Sequence, residues 1–210
     1  MRIGIFGGTF NPIHIAHIRS AVSVYETFML DKIIFVPTGI PPHKKKSVAD
    51  KVLRYKMVEM AIEGIDFFDI SRIEIDKNSI NYSIETVQSL KKQYVNDNLF
   101  FIVGTDAFYC LDSWKDHINL TKMISFILMR RPEYNLKPII DKYQNELNFQ
   151  EVKECKKYEF KKQAVYVHTP EAFDISSSMI RERIKENKNI RYLVPERVEN
   201  FIKERGMYKI

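Results

Sequence analysis

Cysteine is almost missing from this 210-residue chain, which has only Cys110 and Cys155, far apart and in no CxxC pair. That excludes a disulfide framework and a cysteine-rich zinc site as organising devices. Cys110 falls in the apolar run AFYCL, which predicts a buried free thiol. Long apolar stretches are missing as well. Nothing approaches the roughly 18 consecutive apolar residues of a membrane span, and the opening MRIGIFGG is too short an apolar run for a secretory signal. The expectation is a cytoplasmic chain with no membrane partner. Internal repeats and long linkers are absent too, so residues 1–210 read as one domain, with a C-terminal helical part over about 177–210.

What is there suits a packed enzyme-sized core, with 45% hydrophobic and 12% aromatic residues against 29% charged. The net charge of +6 fits nucleic acid, and equally an enzyme whose substrates carry several phosphates. Many lysines fall in 151–163, interleaved with glutamates, which reads as a solvated face. With no aromatic-interleaved RNA-binding signature and no zinc-finger spacing, nucleic acid is not the expected partner.

Strand-like apolar runs alternate with helix-like periodicity. Strands are predicted at 2–6, 32–36, 99–103, 124–129 and 164–167, with one or two short ones in 67–75. Helices are predicted at 14–29, 50–63, 83–94 (with Ser83 as N-cap), 177–186 and 196–205. The stretch 133–163 is the least regular and reads as a surface excursion. Such alternation predicts an α/β, Rossmann-like doubly wound parallel sheet with helices on both faces. Ligands then bind beyond the carboxyl ends of the strands, so the loops that follow strands carry the chemistry.

The first of these loops reads GGTFNPIHIAH. Gly7 and Gly8 let the backbone turn tightly and bring its amides, with those of Thr9 and Phe10, close to an anion. His14 and His17, three apart, share one side of the first helical turn, where the helix end adds partial positive charge. Two imidazoles beside helix-end amides make a phosphate site. A plain turn, a metal-binding pair and polar surface are the alternatives, and no nearby Cys, Asp or Glu pattern completes a metal set. The loop is neither GxxxxGK[ST] nor GxGxxG.

Later loops add further candidates. After the second strand, Pro41-Pro42-His43-Lys44 reads as an extended tether holding an ammonium over phosphates; Lys45 and Lys46 read as flexible basic surface. Asn81-Tyr82-Ser83 leads into a helix whose first-turn amides could hold a carboxylate. Gly104-Thr105-Asp106 closes the strand LFFIV, and an aspartate there suits ribose hydroxyls. Trp114, the only tryptophan, stands eight residues on and either stacks on a flat ring or packs in the core. Arg131, before Pro132, could reach the cleft. Near the end, Ile175-Ser176-Ser177-Ser178-Met179-Ile180-Arg181 sets serine hydroxyls and amides at a helix start, with Arg181 one turn on: a second anion cradle.

Together GGTFNPIHIAH and ISSSMIR resemble the nucleotidylyltransferases that share an HxGH motif with class I aminoacyl-tRNA synthetases. PPHK and GTDAFYCLDSW narrow the resemblance to bacterial nicotinate-nucleotide adenylyltransferases, from Ile3 to about Tyr208. The resemblance implies transfer of AMP from ATP to nicotinate mononucleotide, with Mg²⁺ carried on ATP and no dedicated metal cage. It implies His17 at the α-phosphate, and His14 with Arg181 on the β/γ side. It also implies Lys44 on phosphate, the Tyr82–Ser83 turn on the nicotinate carboxylate, and Trp114 stacked on the ring. Arg131 best matches the family's arginine; Arg54 matches another, of unassigned role. Position 11 is Asn where Asp is commoner, and position 16 is Ala where the motif has Gly. Alternatives are nicotinamide mononucleotide or phosphopantetheine as acceptor, a non-catalytic nucleotide-binding module and a basic RNA-binding domain. A homodimer stays open as the assembly.

Overall fold

The computed structural model describes residues 1–41, 48–130, 135–152, 163–171 and 174–209. Among them, seven strands form one sheet: β1 (Arg2–Gly8), β2 (Lys32–Pro37), β3 (Phe68–Ile70), β4 (Asn98–Gly104), β5 (Ser125–Met129), β6 (Asn148–Glu151) and β7 (Ala164–His168). Their order is β3-β2-β1-β4-β5-β7-β6, and every neighbouring pair is parallel. Helices α1 (Ile15–Phe28), α2 (Lys51–Ile62), α3 (Ser83–Gln93), α4 (Thr105–Phe108), α5 (His117–Met123), α6 (Lys137–Tyr143), α7 (Ser177–Lys185) and α8 (Glu196–Glu204) cover it. This is the Rossmann-like doubly wound architecture that the alternation predicts.

Side-chain alternation along the strands builds two cores. On β4, Phe100 and Ile102 join a cluster with Val24 and Phe28 of α1, Met57 and Val58 of α2, Ile180 of α7 and Phe201 of α8. Leu99, Phe101 and Val103 face the other way, onto Val87 and Leu90 of α3, Phe108 of α4 and Leu120 of α5. A strand covered on both faces must be apolar throughout, which is why LFFIV has no polar position. Each large side chain so buried contributes roughly 1.5–3 kcal/mol relative to exposure. From β1 the sheet grows outward through β2 and β3; the chain then returns across β1 to β4 and grows the other way. The crevice of such a sheet opens at that reversal, beyond the carboxyl ends of β1 and β4.

Three expectations are corrected. The stretch 133–163 is not a mere excursion: α6 and β6 lie within it, and Leu136, Ile139, Tyr143, Leu147 and Val152 are buried. The spacing of three and four from Leu136 to Leu147 is helical, and β6 pairs with β7 as the sheet's edge. Cys110 is exposed, because Phe108 and Leu111 on either side take the core positions. The N-cap of α3 is Tyr82, without a side-chain cap bond, and Ser83 is the first helical residue.

Candidate active site

The loop after β1 is shaped by Phe10. Its φ is +47°, a left-handed conformation that a bulky residue holds only under constraint. Its buried ring meets Phe6 and His17 edge-on, with centroids 5.6 and 5.2 Å apart. A Cβ at Gly8 would lie 2.9 Å from that ring, so glycine there lets the loop fold over phenylalanine. Residues 8–10 thus turn at the end of β1 with the Phe10 side chain in the core.

His14 is the N-cap of α1, and the two imidazoles form a reciprocal capping pair. His17 N–H donates to His14 Nδ1 at 3.4 Å, and His14 N–H donates to His17 Nδ1 at 3.3 Å. Ser and Glu usually make this box. The rings stack at 3.6 Å between centroids, 24° from parallel. With Nδ1 an acceptor on both, each neutral ring carries its proton on Nε2 and presents that N–H as a donor.

The N-terminus of α7 docks on the same loop. Ser176 caps the helix, its Oγ accepting from Met179 N–H at 3.2 Å. Ser177 Oγ donates to the Pro12 carbonyl at 2.8 Å, and Arg181 Nη1 donates to the Asn11 carbonyl at 2.8 Å. Ile175, just ahead, packs on the first core. The first and last motifs are therefore joined at Asn11 and Pro12. Beside Arg181 is a cleft of about 490 Å³ between Ala49 and Asp50 on one side and Ser178 and Lys185 on the other, with Tyr208 in its wall. Neither histidine lines it.

Sequence reasoning missed the groups that hold these loops together. Arg54, 1% exposed, donates to the carbonyls of Thr9 (2.7 Å), Gly39 (2.9 Å) and Ala49 (2.9 Å). Burial lowers its pKa, opposed by Tyr208, Asp50 and Glu74. Buried Glu74 accepts from Thr86 Oγ1 at 2.7 Å and from Gly39 N–H at 3.4 Å; burial raises its pKa. A guanidinium and a carboxyl thus grip Gly39 from both sides. A Cβ there would meet the Glu74 carbonyl oxygen at 2.2 Å and Asn81 Oδ1 at 2.4 Å. Asn11 is a second hub: its Oδ1 accepts from Ala49 N–H (3.1 Å) and Tyr208 Oη (2.8 Å). Burial holds the Tyr208 hydroxyl protonated to unusually high pH, which keeps it a donor. Position 11 serves these two bonds with an oxygen, which the amide supplies as well as an acid. The arginine at 54 was the one visible signal; a buried clamp leaves no spacing pattern.

A second group lies at the start of α3. Ile40 and Asn81 exchange bonds, Asn81 N–H to the Ile40 carbonyl at 2.9 Å and Ile40 N–H to Asn81 Oδ1 at 2.8 Å. Trp114 is half-buried, edge-on to Phe101 at 5.9 Å, and Tyr82 and Trp114 pack against the same core. Lys115 sits 4.2 Å over the Tyr82 ring and pairs with Glu85 at 2.8 Å. Between the two groups, Gly104 ends β4 as N-cap of α4, and Asp106 is exposed in the first turn. Thr105 ties this end to β5, donating to the Met129 carbonyl at 2.9 Å. Lys44 and Arg131 lie outside the described residues. Among the described residues, no three or more His, Cys, Asp or Glu side chains gather as a metal site, and no helix is long and apolar enough to cross a membrane.

The model of a family described as cytidylyltransferase-like matches residues 5–183. A protein of Clostridium tetani named "probable nicotinate-nucleotide adenylyltransferase" is 38% identical over 206 residues, covering 98% of each chain. One of the same name from Thermoanaerobacter sp. is 41% identical over 211 residues, covering 100% of this chain and 95% of its own. Plasmodium falciparum nicotinic acid mononucleotide adenylyltransferase, solved in complexes with APC and with NaAD, superposes with a TM-score of 0.74 in each at 18% identity. The match covers 99% of this chain and 96% and 97% of the other, respectively.

Proposed function

From the premise that the chain belongs to the cytidylyltransferase-like family, we infer that it is a nicotinate-nucleotide adenylyltransferase of NAD biosynthesis. A phosphate oxygen of nicotinate mononucleotide attacks the α-phosphorus of ATP, and pyrophosphate leaves; the product is nicotinate adenine dinucleotide. The observation that carries this reading is the full-length identity of 38–41% to relatives of that name. The junction of both phosphate motifs at Asn11 and Pro12 agrees with it.

The attacking phosphate is already ionised, so the reaction needs no general base. Catalysis consists of holding the reactants in line and neutralising charge that builds on the α-phosphate and on the leaving group. His17 donates from Nε2 to the α-phosphate; His14 and Arg181 act on the β/γ side. The amides of Gly7, Gly8, Thr9 and Phe10, and those of Ser176 and Ser177 behind Ile175, complete the cradle at two helix ends. Asp106, beyond Gly104, takes ribose hydroxyls. Tyr82 and Ser83 read the nicotinate carboxylate, Trp114 stacks on the ring, Lys44 contacts phosphate, and Arg131 binds the acceptor. Magnesium arrives with ATP, held by phosphates and water, because a small hard cation keeps much of its own shell. The enzyme acts as one unit over residues 1–210, in the cytoplasm.

The test is pyrophosphate release on mixing ATP with each acceptor. Release with nicotinate mononucleotide, and slower release with nicotinamide mononucleotide, is the expected result. No release with either, or faster release with phosphopantetheine, overturns the assignment.

A further inference from the structure

Among the described residues, one buried side-chain atom has no hydrogen-bond partner: Nδ2 of Asn81. The residue is 4% exposed. The amide's orientation is fixed. Ile40 N–H donates to Oδ1 at 2.8 Å, so exchanging oxygen and nitrogen would set two donors face to face. Oδ1 also stands 2.4 Å from where a Cβ of Gly39 would be, so the side chain is wedged against the β2 loop. An enclosed donor without an acceptor costs about 1–3 kcal/mol, and folded chains keep few of them.

The place of this atom gives it a use. Asn81 immediately precedes Tyr82, the N-cap of α3, whose side chain makes no cap bond. The first-turn amides of Ser83 and Ile84 have no carbonyl within the helix to bond. The turn therefore holds a surplus of donors, with the positive end of a helix behind them. A carboxylate only accepts and satisfies such a set. A carboxamide brings an NH₂ of its own and must set it against another donor.

We propose that Asn81 is a specificity-determining residue, its Nδ2 donating to the pyridine carboxylate of the acceptor and so favouring nicotinate over nicotinamide mononucleotide. The inference rests on the acceptor assigned above. A hydrogen bond to an anion in an enclosed, water-poor turn discriminates more strongly than one in solvent.

Asn81→Asp tests it, because the variant keeps Oδ1 for Ile40 N–H and replaces the donor with an oxygen of similar size, whose added charge also repels the acceptor carboxylate. Steady-state kinetics of the unaltered and N81D chains are compared on both mononucleotides and on ATP. N81D is expected to raise KM for nicotinate mononucleotide roughly 10- to 100-fold and to leave KM for ATP within about twofold. The ratio of kcat/KM values moves toward nicotinamide mononucleotide, whose NH₂ gains an acceptor. The side-chain amide resonance of Asn81 in ¹⁵N-labelled unaltered chain separates loss of the donor from that repulsion, and decides alone should N81D fail to fold. It is expected to move on titration with nicotinate mononucleotide and to stay put with ATP alone. A folded N81D that discriminates as before, or an unmoved resonance, overturns the proposal alone. An unaltered chain that turns over neither mononucleotide overturns the acceptor assignment and this proposal together.

Discussion

The Arg181 guanidinium donates to the Asn11 carbonyl at 2.8 Å, across 170 positions of sequence. With Ser177 on Pro12, this bond fixes the α7 cation against the loop that runs into His14 and His17. Charge from both ends of the chain thereby serves one triphosphate in the proposed reaction.

His17→Ala is expected to lower kcat by about 10²–10³, the usual effect of removing one donor to a charged transition state, and to change KM for ATP little. Steady-state kinetics read both. Near-normal turnover in the folded variant would remove His17 from the α-phosphate. The lost cap should cost only about 1 kcal/mol of stability.

Arg54→Met should destabilise the fold by about 3–5 kcal/mol, since it strips the carbonyls of Thr9, Gly39 and Ala49 of a donor and removes one of the two cations that favour the Glu74 carboxylate. Urea unfolding followed by circular dichroism measures this. A midpoint equal to that of the unaltered chain would mean that the clamp holds nothing.

Gly39→Ala inserts a methyl 2.2 Å from the Glu74 carbonyl oxygen, and the overlap is with backbone, which yields little. A loss of about 1–3 kcal/mol in stability is expected, with a higher KM for the mononucleotide. Thermal melting and acceptor titration check it, and an unchanged pair of values would refute the close approach.

His168 ends β7 buried, its Nε2 2.8 Å from Ser23 Oγ of α1, and burial lowers its pKa below the ordinary 6.5. The unfolded chain therefore binds a proton at His168 more readily than the folded one. The stability from the neutral ring is present above pH 6.5 and is lost as pH falls through that value toward the lower folded pKa. Unfolding free energies across pH 5 to 8 should fall less steeply on the acid side in His168→Gln. Superimposable profiles would sink the assignment.

Trp114 is the only tryptophan, so fluorescence excited at wavelengths too long for the eleven tyrosines reports on it alone. Stacking of the pyridine ring should quench that emission on adding nicotinate mononucleotide and leave it nearly unchanged with ATP. Emission indifferent to the mononucleotide would return Trp114 to core packing against Phe101.

The sheet was legible because buried parallel strands leave runs such as IIFV and LFFIV that little else explains. The loops of the proposed phosphate site stood out as residue types at strand ends. Three kinds of feature were not. The 3–4 spacing of Leu136, Ile139, Tyr143 and Leu147 was masked by the charged sequence around it. Cys110 was misread because an apolar neighbourhood in sequence says nothing about which side of a short turn a residue takes. The grip of Arg54 and Glu74 on Gly39 joins α2, the β2 loop and the approach to α3, and no periodicity announces a contact among three distant segments. The local sequence marks which residues can do chemistry; what holds them still comes from tertiary packing.

Because Asn11 is held by Ala49, Arg181 and Tyr208, the first loop of the chain is finished only by its last residues. During synthesis both histidines leave the ribosome well before α7 and Tyr208, the segments that complete the proposed cradle around them. On the proposed mechanism, a chain ending before Arg181 would thus be inert toward ATP, however well its amino-terminal strands had folded.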